Sequence, residues 1–296
     1  MPLNLKHTAK AGLRKLGWRL ERMGPPPAPQ PEARICAHAL EALHRIWDGA
    51  PCLFQLRLDE LVDYNGFAHS RNKFHPHSHA ARLMITQGQG AADAFLEQYY
   101  ATFQPANAAQ AMPGFADAPA ALHAAPSHLV CWAPFFVRSQ MEMHRDVATF
   151  IQHDNAEHGF PSGHLEVDGC HWHGPLTYEK RSVELRRLDL IHESLSKSGY
   201  DLSYGPVSVR VLRRGPDLRF IIGGGGYHRV AVAAALGVAH VPAAFMVPAI
   251  FDVDDVAWWP QVRNGLWTAT QARHYIDYLF DFDSRAWARA QGLVQD

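Results

Sequence analysis

The sequence predicts an α+β fold, in which a mostly helical N-terminal region precedes a mixed α/β domain that starts at about residue 148. Apolar residues recur at helical spacing in several segments of the first half. Valines at 207, 209 and 211 alternate as in a β-strand, and the turn signal Gly-Pro-Asp at 215–217 separates them from a second apolar run. The pattern Thr268-x-x-Gln271 is a capping box before a last helical stripe.

Residues 1–31 form a separate basic segment. Apolar residues from Leu5 to Met23 recur every three or four positions, and lysines and arginines flank this stripe. Such a helix can lie on an anionic membrane surface, or it can dock on its own protein, and the sequence leaves both alternatives open. Residues 24–31 read GPPPAPQP, which cannot continue a helix and predicts a stiff linker.

Residues 32–147 are predicted to be mostly helical. A helical pattern covers 33–47, with Leu40 and Leu43 on its apolar face, and another covers 91–103. Loops rich in alanine and proline separate such segments, and few residues here indicate chemistry.

The domain over 148–296 alternates helices and strands. Ser182 is predicted to cap a helix whose inward face carries Leu188, Ile191 and Leu195 and which ends at Gly199. A strand over 218–222 leads into four glycines and then a helix over 230–236. Residues 241–247 predict a further buried strand.

The composition of the chain excludes several classes of protein. The chain has 28 Lys+Arg and 29 Asp+Glu, a formal net charge of −1, so it lacks the basic excess of a dedicated nucleic-acid binder. The hydrophobic fraction of 47% excludes general disorder. Four cysteines without CxxC spacing argue for reduced thiols rather than a zinc ribbon. No signal peptide or membrane span is evident, so we expect a cytoplasmic protein, with residues 1–23 as a candidate contact to the inner face of the cell membrane.

The strongest chemical signal is GGGGYHR at 223–229, placed between a strand and a helix. Glycines let the backbone approach an anion, and the helix N-terminus offers N–H groups and the positive end of its dipole. His228 and Arg229 add donors suited to phosphate oxygens, while Tyr227 either stacks on a base or packs. The loop lacks the Gly-Lys-Ser/Thr of a Walker motif and the third glycine of a Rossmann fingerprint. The predicted phosphate-binding residues are Gly223, Gly224, Gly225, Gly226, Tyr227, His228 and Arg229; the alternative is a tight turn.

Residues 193–247 resemble the ParB/sulfiredoxin superfamily. The segments ESLSKSGY, PVSVRVL and LRFIIGGGGYHRVAVAAALGVAHVPAAFM occur in the order typical of that superfamily. Sulfiredoxins carry Gly-Gly-Cys-His-Arg, and the free-serine kinases of the superfamily carry Asp-Gly-His-His-Arg. Tyr227 stands in the position of the sulfiredoxin cysteine, and Tyr-His-Arg replaces the Glu-Arg-Arg of the CTP box of ParB. The motif is therefore most similar to the kinase branch.

Shorter motifs resemble an uncharacterised group of ParB-domain proteins found with bacterial surface-polysaccharide biosynthesis genes. These motifs are YYATFQP at 99–105, HDNAEHG at 153–159, HGPLTYEKRSVELRRL at 173–188 and WWPQVRNGL at 258–266. The segment LRKLGWRLERM at 13–23 resembles leader helices of such enzymes.

The resemblance also suggests a catalytic carboxylate. The free-serine kinases place a catalytic glutamate just before the equivalent helix, and Glu184 has a similar place here. Because it lies four residues before Leu188, it extends the inward stripe, where it could deprotonate a hydroxyl or help hold Mg²⁺. The alternative is a first-turn glutamate favoured by the helix dipole. Further candidates are Lys180 and Arg187 for bound phosphates, or as surface cations, and His173 for substrate.

Histidines cluster at 69–79 and at 153–173. Alternating His-x-His can bind zinc or copper, but no adjacent carboxylate or thiol pattern completes a site. We therefore predict polar packing or substrate contacts and no metal site. The predicted function is an ATP- and Mg²⁺-dependent phosphotransferase that acts on a hydroxyl of a sugar or glycan in envelope polysaccharide biosynthesis. The alternative is a non-catalytic switch that binds CTP or ATP.

Overall fold

The computed structural model describes residues 34–45 and 52–295. The predicted basic helix and proline-rich linker over 1–31 lie outside the described residues. The strands are β1 Arg34–Cys36, β2 Cys52–Arg57, β3 Leu61–Val62, β4 Val207–Arg214, β5 Asp217–Ile222 and β6 His240–Asp252. The helices are α1 Ala39–Arg45, α2 Pro76–Gln87, α3 Gln89–Thr102, α4 Ala120–Ala124, α5 Gln140–Glu157, α6 Leu165–Asp168, α7 Tyr178–Ser198, α8 Tyr227–Ala235, α9 Pro260–Arg263, α10 Ala269–Asp281 and α11 Ser284–Ala290.

The six strands form one mixed sheet in the order β1-β2-β6-β4-β5-β3. The predicted hairpin of β4 and β5 is antiparallel, and β6 lies parallel to β4. β2 pairs antiparallel with β6, and β3 pairs parallel with β5. The α+β class is therefore confirmed. However, the region predicted to be mostly helical supplies three of the six strands, in the same sheet as the C-terminal strands.

Both faces of the sheet are covered. Successive residues of a strand point to opposite faces, so Val211 packs with α8 while its neighbour Leu212 packs with Trp267 and α10. Helix α8 also packs against α2 and α7. Its N-terminus therefore lies between these two helices and the edge of the sheet. Among the described residues, no helix is long and apolar enough to cross a bilayer.

Several predicted boundaries are wrong. The helix expected over 33–47 begins only at Ala39, after strand β1, and Leu40 is exposed rather than inward. The N-cap of α7 is Thr177, five residues before the predicted Ser182; both residue types can accept from a helix N–H. The predicted end of α7 at Gly199, with a φ of 69°, is confirmed.

Strand β6 is longer and less buried than predicted. It continues to Asp252, and Val247 is 79% exposed. Only its first part and Phe251 lie in the core.

Candidate functional site

A cleft of about 1060 Å³ lies where α5, α7 and the start of α8 meet the ends of β4 and β5. Its lining includes all residues of the GGGGYHR motif, together with Asp154 from α5, Arg187 from α7 and Arg210 from β4. The structure thus places the predicted phosphate loop and Arg187 in one cavity. Lys180, the other predicted phosphate-binding cation, does not line it.

The glycine loop is built for close backbone approach. Gly223 N donates to Ser208 O at 2.8 Å, which ties the end of β5 to β4. Gly226 caps α8 with a φ of +97°, and a Cβ there would lie 3.2 Å from Val207 Cγ2. At Gly225, by contrast, a Cβ would meet nothing within 4 Å. The loop therefore presents backbone, without side chains, beside the first N–H groups of α8, which have no acceptor within the helix.

Glu184 lies at the centre of a buried charged group, on the inward face that its spacing predicted. Its Oε1 is 2.6 Å from Lys180 Nζ, and its Oε2 is 2.5 Å from His228 Nε2. Both Glu184 and Lys180 are 0% exposed. Burial opposes ionisation, but His228, Lys180 and Arg187 hold the pKa of Glu184 well below its usual range. Glu184 is therefore an ionised carboxylate that does not line the cleft.

Lys180 does not have the predicted phosphate-binding position. Its ammonium also donates to Asn155 Oδ1 at 2.5 Å and is enclosed with Glu184. The helical spacing of i and i+4 joins Lys180 to Glu184 inside the protein. The sequence-based alternative of a solvated surface cation is equally wrong for this residue.

Arg187 does line the cleft, although its guanidinium is engaged. Its two Nη atoms donate to the carboxylate of Asp154 at 2.6 and 3.0 Å. Arg229 Nη1 donates to Gly205 O at 2.5 Å, and its guanidinium lies 5.2 Å from the centre of the Tyr200 ring.

Arg210 is a cleft residue that the sequence analysis missed. Its Nε is buried and has no hydrogen-bond partner among the described residues. The strand pattern contained the signal, because Arg210 alternates with the buried valines of β4 and shares the opposite face with Ser208, which contacts the glycine loop.

The two histidine clusters of the sequence meet around Tyr227. The ring centres of five histidines lie between 5.0 and 5.9 Å from the centre of its ring. These histidines are His69, His75, His77, His171 and His228. The Tyr227 hydroxyl is 2.8 Å from His75 Nε2, so Tyr227 packs among imidazoles at the cleft wall. Its pKa is raised well above the usual range by burial.

Burial keeps His75, His77, His171 and His228 neutral. It lowers the pKa of His75 to about 4 and that of His171 to about 3, and it moves the pKa of His77 well below the ordinary value. Burial and the guanidinium of Arg187 also lower the pKa of His228. Neutral imidazoles retain a lone pair that can accept a proton or bind a metal.

Two groups in this cluster have the spacing of metal ligands. The first is Asp63, His69 and His75; the second is His77, Glu184 and His228. Within each group, one nitrogen or oxygen atom from every residue lies within 4.8 Å of the others. The sequence suggested no metal site because Glu184 lies far along the chain from His77 and His228, and Asp63, six positions before His69, forms no recognised ligand spacing with the histidines.

His173 is not at the cleft. It is buried against Cys170, with Nε2 3.6 Å from the sulfur, and its Nδ1 lies 2.9 Å from Gly174 O. His171, two residues earlier, lines the cleft instead. The predicted substrate contact of His173 therefore finds no support in its position.

The cleft fits the phosphates of ATP better than it fits the expected Mg²⁺. The open loop at Gly225 leaves room for a phosphate, and four arginines bring positive charge to a lining that also contains five carboxylates. Mg²⁺ prefers several oxygen ligands. The oxygens of Asp154 accept from Arg187, and both described groups with metal-ligand spacing are dominated by histidine. The described residues thus do not fit a protein-held Mg²⁺.

No protein-family model, curated protein or solved structure matches this chain.

Proposed function

We propose that the protein is a phosphotransferase that binds ATP, or another nucleoside triphosphate, in the cleft and transfers the terminal phosphoryl group to a hydroxyl acceptor. One observation carries the proposal. A single cavity contains a glycine loop at a helix N-terminus, four arginines and an imidazole oriented by a carboxylate. Phosphoryl transfer depends mainly on positioning and charge neutralisation, which are the properties that this combination supplies.

The loop and the arginines bind the phosphates. The amides of 224–226 and of the first turn of α8 can donate to phosphate oxygens, as in other anion sites at helix N-termini, whereas the amide of Gly223 is used by Ser208 O. Arg210 contributes a guanidinium whose Nε is not yet satisfied. Arg187, which is ion-paired with Asp154, and Arg229, which donates to Gly205 O, add guanidinium groups at the same wall. Preorganised cations of this kind stabilise the charge that develops on the transferred group.

His228 accepts the proton of the acceptor hydroxyl. Its Nε2–H donates to Glu184, which leaves Nδ1 unprotonated, and His228 lines the cleft. Its lowered pKa keeps the ring neutral at neutral pH, as a general base requires. The hydroxyl oxygen bonds to the terminal phosphorus, the bond to the bridging oxygen breaks, and the nucleoside diphosphate leaves. Glu184 is a positioning residue that fixes the tautomer of His228, in the way that a buried carboxylate orients a catalytic histidine.

The acceptor class rests on the resemblance to proteins found with polysaccharide biosynthesis genes. A sugar or glycan hydroxyl is the proposed acceptor, and the cleft volume of about 1060 Å³ leaves space for it beside a nucleotide. A cytoplasmic location, with residues 1–23 as a contact to an anionic membrane, belongs to the same proposal.

One observation favours the alternative function, a nucleotide-binding switch without chemistry. Glu184, the counterpart of the catalytic glutamate in the kinase branch, is fully buried and ion-paired. A switch would bind nucleotide in the same cleft but would not release a nucleoside diphosphate when acceptors are supplied.

Calorimetry with ATP and with a non-hydrolysable analogue tests the binding step. Arg229→Ala should weaken binding by about 1.5–3 kcal/mol, because a charge-assisted contact to phosphate is lost. Arg263→Ala is the matched control, since its guanidinium lies over Trp258 and does not line the cleft. Equal affinities of the wild type and Arg229→Ala, with intact folds, would exclude this phosphate site.

A second measurement separates the enzyme from the switch. With a panel of sugars as acceptors, His228→Asn should retain nucleotide affinity within a few-fold and lose about 10²–10⁴ in the rate of transfer. A wild-type protein that binds ATP but transfers no phosphate to any acceptor would favour the switch.

A further inference from the structure

His77, Glu184 and His228 form a buried group next to the cleft, and of the three His228 lines it. All three are at most 4% exposed, and their ligand atoms lie within 4.8 Å of one another. We propose that this group binds a divalent transition-metal ion of the Zn²⁺ or Co²⁺ type. Two imidazoles and a carboxylate are a ligand set that suits such ions and does not suit Mg²⁺.

The tautomer of His77 carries the argument. The hydroxyl of Tyr100 donates to His171 O at 3.1 Å, so its oxygen is the acceptor in the contact of 3.2 Å with His77 Nε2. His77 therefore carries its hydrogen on Nε2, and its Nδ1 holds a lone pair. That Nδ1 is buried and has no hydrogen-bond partner among the described residues. A buried acceptor without a donor requires an explanation, and a bound cation supplies one.

Tyr100 completes the arrangement seen around metal-binding histidines. Such a histidine usually donates its second ring N–H to a neighbouring oxygen, which fixes the ring and its tautomer. Here the oxygen is that of Tyr100, whose hydroxyl is buried. The two oxygens of Glu184 also have separate partners: Oε1 contacts Lys180 and Arg187, while Oε2 contacts His228.

His171 is available as a fourth ligand. Its Nδ1 is also buried without a partner, and its ring centre is 6.0 Å from that of His77 and 5.9 Å from that of His228. Four-coordinate sites are the rule for zinc. A small rotation of the His171 ring would complete the coordination.

The neighbouring group of Asp63, His69 and His75 does not qualify. Ser78 N donates to His75 Nδ1, so the hydrogen of that ring is on Nε2, where it is donated to Asp63 Oδ2 at 2.9 Å. Because Nδ1 of His75 already accepts from Ser78 N, the hydrogen on Nε2 cannot move there, so His75 offers no lone pair to an ion beside Asp63. In this group only Nε2 of His69 is buried without a hydrogen-bond partner among the described residues. Like the proposed metal-binding group, it consists of one carboxylate and two histidines, all buried, so its residues serve as matched controls.

Metal binding changes the role of His228. Nε2 gives up its hydrogen to bind the ion, and Nδ1 at the cleft takes up one, so the neutral ring stays neutral. A metal-bound His228 can donate to a phosphate oxygen but cannot accept a proton, so metal should inhibit phosphoryl transfer. This consequence rests on the proposed function, whereas the binding of the ion does not.

Titration calorimetry of the full chain with ZnCl₂, and absorption spectroscopy with CoCl₂, test the site. All variants carry His153→Ala, which removes an exposed histidine. We expect one tightly bound ion in this background and no comparable binding of Mg²⁺. His77→Ala should weaken binding at least 100-fold, and His69→Ala should leave the affinity unchanged. Tyr100→Phe should weaken it about 10- to 100-fold, because it removes the oxygen that orients His77.

Two results would overturn the proposal. The first is that His77→Ala leaves the affinity for Zn²⁺ unchanged; the second is that His69→Ala lowers this affinity as much as His77→Ala does. Circular dichroism verifies that each variant is folded. If His77→Ala does not fold, Tyr100→Phe decides, and wild-type affinity in that variant counts against the site. Zinc binding without any phosphoryl transfer would retain the metal site and reject the proposed function.

Discussion

The buried pair of Lys180 and Glu184 predicts a large effect of a single conservative substitution. Glu184→Gln preserves the shape of the side chain but removes the charge that faces Lys180 Nζ at 2.6 Å. Lys180 is completely buried, and its other contact is the neutral oxygen of Asn155. The variant would therefore keep an ammonium inside the protein without a countercharge.

The expected loss is about 3 kcal/mol in the free energy of unfolding. Removing one partner of a buried ion pair costs about 3–5 kcal/mol, and the lower end applies because the glutamine oxygen can still accept from Lys180. For a chain whose total stability is about 5–15 kcal/mol, such a loss is readily measured. With a slope of about 3 kcal/mol per M, urea unfolding should show a midpoint about 1 M lower.

A double variant identifies the cause. If the cost arises from the unpaired ammonium, Lys180→Met in the Glu184→Gln background should restore about 2 kcal/mol, because a buried pair can be replaced by neutral groups at small cost. The slope of the urea transition should stay constant among the variants. A loss of stability below about 1 kcal/mol in Glu184→Gln would refute the reasoning. So would a double variant that loses as much stability as the two single variants lose together.

Three further measurements test the histidines, the loop and a thiol. The free energy of unfolding should fall as the pH drops from about 6.5 toward 4, because in this range His75 and His171, with pKa values lowered to about 4 and about 3, bind protons only in the unfolded chain. Urea unfolding should show a loss of up to about 1.4 kcal/mol per pH unit for each histidine. A stability that does not change with pH over this range would contradict the prediction. Gly226→Ala should cost about 1–2 kcal/mol of stability because of its positive φ, whereas Gly225→Ala should leave stability unchanged and weaken ATP binding in calorimetry. Cys170, which is 1% exposed, should react with a thiol reagent only in denaturant; rapid labelling of the native protein would contradict its burial.

The C-terminal half could be predicted because its signals are local. The hairpin of β4 and β5, the capping box of α10 and the end of α7 each depend on residues within a few positions of one another. The inward position of Glu184 followed from the helical period alone. Such features need no information about distant partners.

The features that the sequence did not reveal depend on distant partners. Strand β3 has only two residues, Leu61–Val62, and it exists because β5 pairs with it. The histidines of 69–79 acquire Glu184 and His228 as neighbours only when α2, α7 and α8 pack together. Lysine side chains are usually exposed, and the burial of Lys180 is explained only by its contacts with Glu184 and Asn155. Pattern and spacing do not contain these contacts.

The order of strands in the sheet has a consequence during translation. β2 pairs with β6, and Phe74 N donates to Ser284 Oγ across 210 positions of the chain. The first half of the chain must therefore leave the ribosome with its strand edges unpaired. These edges can pair only after the C-terminal strands have been synthesised. Distant pairings of this kind slow folding, and unpaired edges promote aggregation. Slower elongation would prolong this wait, and a nascent chain that stops after α7 would expose β2 and β3 to chaperones instead of burying them.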